Sequence, residues 1–164
     1  MLDLIETSVS KLGKAVSLFS LLMVIVTFVV VVLRYGFSVG WIALQESIMY
    51  LHAFLFILMA AFSLQADEHV RVDIFYQRFS AQKQALVDIG GTVFFLFPMC
   101  GVILYMSFDY VATSWRLLER SQEAGGLPLV FLLKSLIPVF CLTMCLQGVA
   151  QISKNMRKYC SEAK

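Results

Sequence analysis

Residues 47–66 read SIMYLHAFLFILMAAFSLQA and contain no Asp, Glu, Lys or Arg over 20 positions. At about 1.5 Å of rise per residue, a helix of this length crosses the hydrocarbon core of a bilayer, which is about 30 Å thick. A loop or an open strand would leave its backbone polar groups unpaired in lipid. This stretch therefore predicts a transmembrane helix.

Three further uncharged runs extend the same pattern along the chain. The chain is 60% hydrophobic and 15% charged, which excludes an ordinary soluble domain. We predict a single all-α integral membrane domain over residues 1–164 with four transmembrane helices. The predicted spans cover about 15–33, 47–66, 89–108 and 131–153.

The distribution of Lys and Arg predicts the orientation. With four spans, both termini and the central loop share one side, which carries nine of the 13 basic residues. The positive-inside rule places that side in the cytoplasm, an N-in/C-in arrangement. Residues 1–14 carry apolar residues at helical spacing and predict an amphipathic helix in the cytoplasmic interface. Residues 69–88 predict a cytoplasmic loop with a second interfacial helix, although a helix docked on a partner protein would show the same pattern.

The first external loop contains ionisable and aromatic residues at the ends of two spans. Tyr35 and Trp41 are typical of a membrane interface, where an aromatic ring lies half in lipid and half in water. Arg34 and Glu46 end the flanking spans at similar depth, and either form an ion pair or extend separately to water. His52 lies further inside the second span, where an ionisable group is a candidate functional residue; the alternative that we expect is a neutral His hydrogen-bonded to a neighbouring helix.

The central stretch His69-Val70-Arg71-Val72-Asp73-Ile74-Phe75-Tyr76 follows the second span almost directly. His69 and Asp73 are four residues apart and share a face if this segment is helical. Two ligands without a third His or Cys nearby do not make a metal site. We therefore expect a hydrogen bond between them that fixes how the chain turns out of the span.

The third and fourth spans contain small residues, prolines and one lysine. Gly90 and Gly91 predict a close approach between helices at the start of the third span. Pro98 predicts a kink near its middle. We expect Lys134, in the outer part of the fourth apolar stretch, to extend outward to water, with contact to an acidic partner as the alternative.

The cysteines and histidines predict no cofactor. Three cysteines lie within spans and one lies in the tail, without a C-x-x-C pair. His52 and His69 fall towards opposite membrane faces, which is unfavourable for haem. A transporter acting alone needs polar groups near the midplane or broken helices, and these spans offer a proline kink and a few Ser and Thr. An accessory membrane subunit is the simplest interpretation.

Several of these residues together resemble a known family. Arg34-Tyr35-x-Phe37, then Trp41 and Glu46, then the stretch from His69 to Asp73 are similar in order and spacing to the small membrane subunit of tripartite ATP-independent periplasmic (TRAP) transporters, the DctQ-like family. The similarity covers the whole chain in length and number of spans, and its specific part is residues 34–76.

The resemblance implies the small permease subunit of a sodium-driven importer of organic acids, a multi-pass protein of a bacterial inner membrane and not an enzyme. The implied partners are membrane lipid, a large DctM-like membrane subunit with the substrate and sodium sites, and a soluble DctP-like periplasmic binding protein; no nucleic acid is implied. The chain itself would stabilise the large subunit in the bilayer. The candidate structural or subunit-interface residues are Arg34, Tyr35, Trp41 and Glu46 at the outer end, and His69, Arg71 and Asp73 at the inner end.

Two other functions are open at this point. One is a stand-alone small carrier or an assembly factor, and solute uptake by the chain alone would indicate the carrier. The other is a membrane enzyme or electron-transfer subunit, which a bound cofactor visible by absorbance would indicate.

Overall fold

The computed structural model describes residues 2–66, 76 and 78–162, and no strand occurs among them. In chain order the elements are α1 Leu2–Gly36, α2 Ile42–Gln65, α3 Ala81–Gly91, a π-helical turn Thr92–Leu96, α4 Phe97–Leu117, α5 Val130–Lys134 and α6 Leu136–Glu162. The π-helical turn joins α3 to α4 without a break, and Ser135 alone separates α5 from α6.

Four helical segments of the described chain are long and apolar enough to cross a membrane. The prediction of four spans in an all-helical protein is therefore confirmed. Their bounds are Leu18–Gly36, Ile42–Gln65, Ala81–Leu117 and Val130–Cys160.

The helices extend beyond the predicted spans. α1 continues without interruption from Leu2, so residues 2–14 are helical and continuous with the first span. The third segment begins at Ala81, before its uncharged run begins at residue 89. Charged residues at a helix end reach water while their backbone stays helical, which is why uncharged runs are shorter than the helices. That residues 1–14 and 69–88 lie in the membrane interface remains a prediction.

The bundle is organised around α6. This helix packs against α2, α3 and α4, and to a lesser extent against α1. The buried core lies where α2, α4 and α6 meet, and consists of Ala61, Cys100, Cys141 and Met144. By contrast, α1 packs mainly against α2, and none of its residues between 18 and 36 is fully buried. The first helix is therefore the peripheral one.

The π-helical turn and the interruption at Ser135 both precede a proline. Proline has no N–H, so the carbonyl four residues earlier loses its helical partner. Before Pro98 the helix widens into a π-helical turn, in which the N–H of Phe97 donates to the carbonyl of Thr92. Before Pro138 the helix is interrupted at Ser135, which divides the fourth segment into α5 and α6. The structure thus shows a π-helical turn before Pro98, and the kink predicted there stays a prediction.

The close approach between helices occurs at a different glycine from the one predicted. A Cβ added at Gly90 or Gly91 would meet no heavy atom within 4 Å in the described structure, so the prediction for these two residues is wrong. At Gly148 of α6 a Cβ would lie 2.8 Å from Leu96 and 3.0 Å from Phe97. Gly148 therefore lets α6 pack directly on the π-helical turn.

The two ends of the bundle differ in their connections. The end with residues 37–41 and 118–129 is called the loop end below. The end at which α1 begins, α6 ends and residues 66–80 connect α2 to α3 is called the terminal end.

Candidate functional sites

At the loop end, Glu46 connects the first turns of α2 to the loop between α4 and α5. One carboxylate oxygen accepts a hydrogen bond from the Ser121 hydroxyl, and the other accepts the backbone N–H of Leu127 at 2.6 Å. These partners lie 75 and 81 positions further along the chain. Hydrogen bonds to an ionised carboxylate are stronger than neutral ones. Glu46 therefore holds the loop against the start of α2.

The loop that Glu46 holds turns tightly, and glycine makes the turn possible. Gly125 has φ of +84°, in the region that residues with a side chain rarely adopt. At Gly126 an added Cβ would lie 2.5 Å from the Ser121 hydroxyl oxygen and 2.8 Å from Glu46 Oε1. The N–H of Ser121 closes the turn by donating to the carbonyl of Leu127 at 3.1 Å. The approach of Glu46 requires glycine at position 126.

Lys134 forms an ion pair at the same end. Its Nζ lies 2.5 Å from Glu119 Oε2 and 3.8 Å from the centroid of the Tyr110 ring. The expectation that Lys134 extends outward to water is therefore wrong, and the alternative of an acidic partner is correct. The hydrogen bond from Lys134 is the main cause that lowers the pKa of Glu119 from its usual value of 4.5. Three elements meet here: α4, the loop after it and α5.

Trp115 connects α4 to the interruption between α5 and α6. Its Nε1–H donates to the Ser135 hydroxyl at 2.7 Å, and its ring packs edge-on against Phe131 at 4.8 Å between centroids. The Ser135 hydroxyl in turn donates to the Phe131 carbonyl at 2.8 Å. The indole thus fixes the break that Pro138 introduces, with its polar atom satisfied.

The other predicted residues of this region are exposed. Arg34 is exposed, and within the described residues it forms no ion pair with Glu46. Tyr35 is 81% exposed and Trp41 is 59% exposed, and both are free to contact lipid or a partner. His52 is also exposed and lies 5.8 Å from the Phe56 ring on its own helix. The predicted hydrogen bond from His52 to a neighbouring helix is absent among the described residues.

At the terminal end, Asp88 of α3 connects the 66–80 segment to α6. Its carboxylate accepts the Tyr76 hydroxyl at 2.8 Å and the Asn155 side-chain amide at 3.4 Å. The Gln84 side chain donates to the Tyr76 carbonyl at 3.1 Å. Sequence reasoning did not select Asp88, because it stood at the edge of an uncharged run and its partners lie 12 and 67 positions away. His69, Arg71 and Asp73 lie outside the described residues.

Sequence reasoning also missed a polar face on the last helix. Gln147 and Gln151 lie on α6 one turn apart, and Gln147 is 3% exposed. The spacing of Gln147, Gln151, Lys154 and Lys158 is that of one helical face. That spacing indicates which face of α6 packs inside the bundle.

Nothing among the described residues forms a cluster of three or more His, Cys, Asp or Glu side chains that could hold a metal ion. Cys100 and Cys141 belong to the apolar core, and Cys160 is exposed near the end of α6. The contacts between polar side chains of Glu46, Lys134, Trp115 and Asp88 lie at the two ends of the bundle.

Comparison with known families places these features in context. The family model described as "Tripartite ATP-independent periplasmic transporters, DctQ component" matches residues 23–158. Comparison with curated proteins and with solved structures finds no significant match. The matched region contains α2 to α5 complete, most of α6 and the part of α1 from residue 23 onward, together with the contacts of Glu46 and Asp88. The chain belongs to the DctQ family, the small membrane subunits of TRAP transporters, and this family is a transporter component and not an enzyme family.

Proposed function

We propose that this chain is the small permease subunit of a sodium-driven importer of organic acids in a bacterial inner membrane, with both termini in the cytoplasm. A DctM-like large subunit provides the substrate and sodium sites, and a DctP-like periplasmic protein delivers the substrate. This chain packs against the large subunit and holds it in the bilayer. The observation that carries the proposal is the DctQ family match over residues 23–158.

The position of polar groups supports a scaffold role. The hydrogen bonds of Glu46, Lys134 and Trp115 lie at the loop end, and those of Asp88 lie at the terminal end. Between them, the described core has no carboxylate, amine or imidazole group. Coupling ions and organic acids require such groups or exposed backbone near the midplane. On this proposal, they are supplied by the large subunit.

The extent of exposed apolar surface supports a membrane partner. Exposed apolar patches of this kind are covered by lipid or by another apolar protein surface. The π-helical turn and α4 expose several large aromatic side chains, and most apolar side chains of α1 within residues 18–36 are exposed. Among the described residues, the large apolar side chains with at least 68% exposure are Leu18, Phe28, Tyr35, Phe37, Phe56, Phe94, Phe95, Tyr105, Met106, Phe108 and Leu117.

The first test of the proposal is purification of the tagged chain in mild detergent from its native membrane, followed by mass spectrometry. We expect a large polytopic membrane protein in near-equal amount. Co-expression of that protein and the binding protein should then give sodium-dependent uptake of an organic acid, with no uptake by this chain alone. Recovery of a stable, isolated chain that transports by itself would support the stand-alone carrier instead.

The candidate residues of the two ends are proposed as structural or subunit contacts. Arg34, Tyr35 and Trp41 are exposed at the loop end, where a partner can reach them, and Glu46 organises the neighbouring loop. For Arg34, we expect Arg34→Gln to reduce the amount of large subunit that co-purifies. The matched control is Arg116→Gln, which removes an exposed cation from the end of α4 at the same end of the bundle.

For the other end, we propose that His69 and Asp73 act together and that Arg71 contacts the large subunit. If His69 and Asp73 form one contact, His69→Ala and Asp73→Ala should each reduce co-purification, and the double variant should lose no more than either single variant. Strictly additive losses, or no loss in either single variant, would contradict the pairing.

A further inference from the structure

A polar cavity of about 260 Å³ opens at the terminal end of the bundle, between α2, α3 and α6. Leu64 is the one apolar side chain among the described residues that line it. The core of the same bundle is apolar. A cavity lined in this way requires a polar occupant, because unpaired buried polar groups are costly.

The inner part of the cavity presents hydrogen-bond acceptors. Gln147 and Gln151 both line it, and the Oε1 atom of each is buried without a hydrogen-bond partner in the described structure. Gln147 is 3% exposed, so water outside the bundle does not reach its side chain. The two glutamines are four residues apart on α6 and lie side by side. An occupant that donates hydrogen bonds would satisfy both.

The outer part of the cavity is cationic. Lys154 and Lys158 continue the same face of α6 towards its end, and both are exposed. Neither lysine forms an ion pair within the described part of the chain. The carboxylate of Asp88, which also lines the cavity, already accepts hydrogen bonds from Tyr76 and Asn155. The unused groups are therefore two cations at the mouth and two carbonyl oxygens on the inner wall.

We propose that this cavity binds the head group of a membrane phospholipid that carries a hydrogen-bond donor, of the ethanolamine or glycerol type. The phosphate lies at the ammonium groups of Lys154 and Lys158, and the ammonium or hydroxyl group of the head donates to Gln147 and Gln151. Water alone would satisfy the glutamines but would provide no anion for the lysines. Both lysines lie in the last turns of Val130–Cys160, a segment apolar enough to span a membrane, where phospholipid head groups are found.

The test compares two lipids that share the phosphate but differ in the donor. The full chain is purified in mild detergent with any membrane partner it retains, and mixed with phosphatidylethanolamine or phosphatidylcholine. Bound lipid is measured by native mass spectrometry. The quaternary ammonium of phosphatidylcholine has no N–H, so we expect phosphatidylethanolamine to bind about tenfold more tightly. Equal binding of the two lipids by the wild-type chain would overturn the proposal.

Variants separate the two halves of the site. We expect Gln147→Leu to abolish the preference for phosphatidylethanolamine while leaving phosphatidylcholine binding unchanged. The double variant Lys154→Gln/Lys158→Gln should weaken the binding of both lipids. Arg157→Gln removes a neighbouring exposed cation outside the cavity lining and should change the binding of neither lipid. A preference that survives Gln147→Leu would overturn the proposal.

A final comparison identifies the source of the phosphate. Glycerophosphoethanolamine has the same head group without acyl chains, and we expect it to compete at least tenfold less well than the lipid. Equal competition would show a soluble phosphate ester as the ligand and would overturn the lipid assignment. None of these measurements depends on transport, so their failure would leave the proposed subunit role unaffected.

Discussion

The carboxylate of Glu46 is the side chain that joins the start of α2 to the loop between α4 and α5. Glu46→Ala leaves the Ser121 hydroxyl and the N–H of Leu127 without their acceptor. Losing these charge-assisted hydrogen bonds should cost about 1–3 kcal/mol of the free energy of unfolding. That corresponds to a fall of roughly 3–10 °C in the melting temperature measured in detergent.

The design of this experiment includes two matched variants. Glu46→Gln keeps an acceptor for Leu127 and should lose less than half as much stability as Glu46→Ala. Glu123→Ala removes an exposed carboxylate from the same loop and should have no measurable effect. A loss for Glu123→Ala as large as that for Glu46→Ala would show that the loop responds to net charge and not to the contact.

The ion pair between Glu119 and Lys134 predicts a dependence of stability on pH. Its hydrogen bond to Lys134 lowers the pKa of Glu119 from 4.5, so its contribution is fully present above that value and is lost as the pH falls through the lower, folded-state pKa. Glu119→Gln should therefore lower the melting temperature at pH 7 by a small amount, and the difference from wild type should shrink as the pH falls below 4.5. Glu123→Gln, which neutralises an exposed carboxylate of the same loop, serves as the control at pH 7 and should lower the melting temperature less than Glu119→Gln does.

Which residues matter was partly predictable from the sequence, but their partners were not. Glu46 stood out because an acid at the end of an apolar run must be satisfied locally. The first external loop suggested Arg34 as the partner of Glu46. The actual partners, Ser121 and Leu127, are distant in the chain. For Lys134 the sequence likewise predicts an extension to water, because it does not show that the loop after α4 brings Glu119 beside this lysine.

At the scale of helices, the packing of α6 on the π-helical turn depends on Gly148. Gly148→Ala would place a Cβ 2.8 Å from Leu96 Cδ2 and 3.1 Å from Thr92 Cγ2, so α6 or the turn must move. We expect the free energy of unfolding to fall by about 1–3 kcal/mol, because the steric cost exceeds the gain of about 1 kcal/mol from replacing a helical glycine. The measurement is thermal unfolding in detergent.

Gly101→Ala provides the matched control for this change. Gly101 lies in α4, and an added Cβ there meets no heavy atom within 4 Å in the described structure. Helix propensity then acts alone and should raise stability by up to about 1 kcal/mol. Effects of the same sign for both variants would contradict the close-packing role of Gly148.

The helices themselves were predictable because the signal is local. A run of 19 or 20 uncharged residues is sufficient to identify a membrane-spanning helix, and each of the four runs overlaps one of the observed segments. Close contacts between helices are not local, which explains why Gly90 and Gly91 were chosen in place of Gly148. The inner face of α6 was readable from the spacing of Gln147 and Gln151, a polar signal within an apolar run.

At the scale of the whole molecule, the chain buries few of its apolar residues within itself. Among the described residues, eight apolar residues are fully buried, whereas most large apolar side chains of residues 18–36 and of α4 remain exposed. In water this surface would cause aggregation, but in a bilayer it is matched by lipid tails or by another membrane protein. Polar contacts at the two ends and an apolar surface between them thus agree with a subunit whose apolar surface is covered by lipid or by another membrane protein.

The proposed orientation of the bundle is testable through Cys160, which is exposed near the end of α6, whereas Cys100 and Cys141 are buried. If the terminal end faces the cytoplasm, a membrane-impermeant maleimide should label Cys160 in inverted inner-membrane vesicles and not in intact spheroplasts. The matched variant carries Cys160→Ser with Gln122→Cys in the exposed loop at the other end, and should show the opposite pattern. Labelling of Cys160 in intact spheroplasts would contradict the orientation that the distribution of basic residues predicts. It would also place Lys154 and Lys158 at the periplasmic leaflet, where the lipid test above would have to be repeated with the head groups of that leaflet.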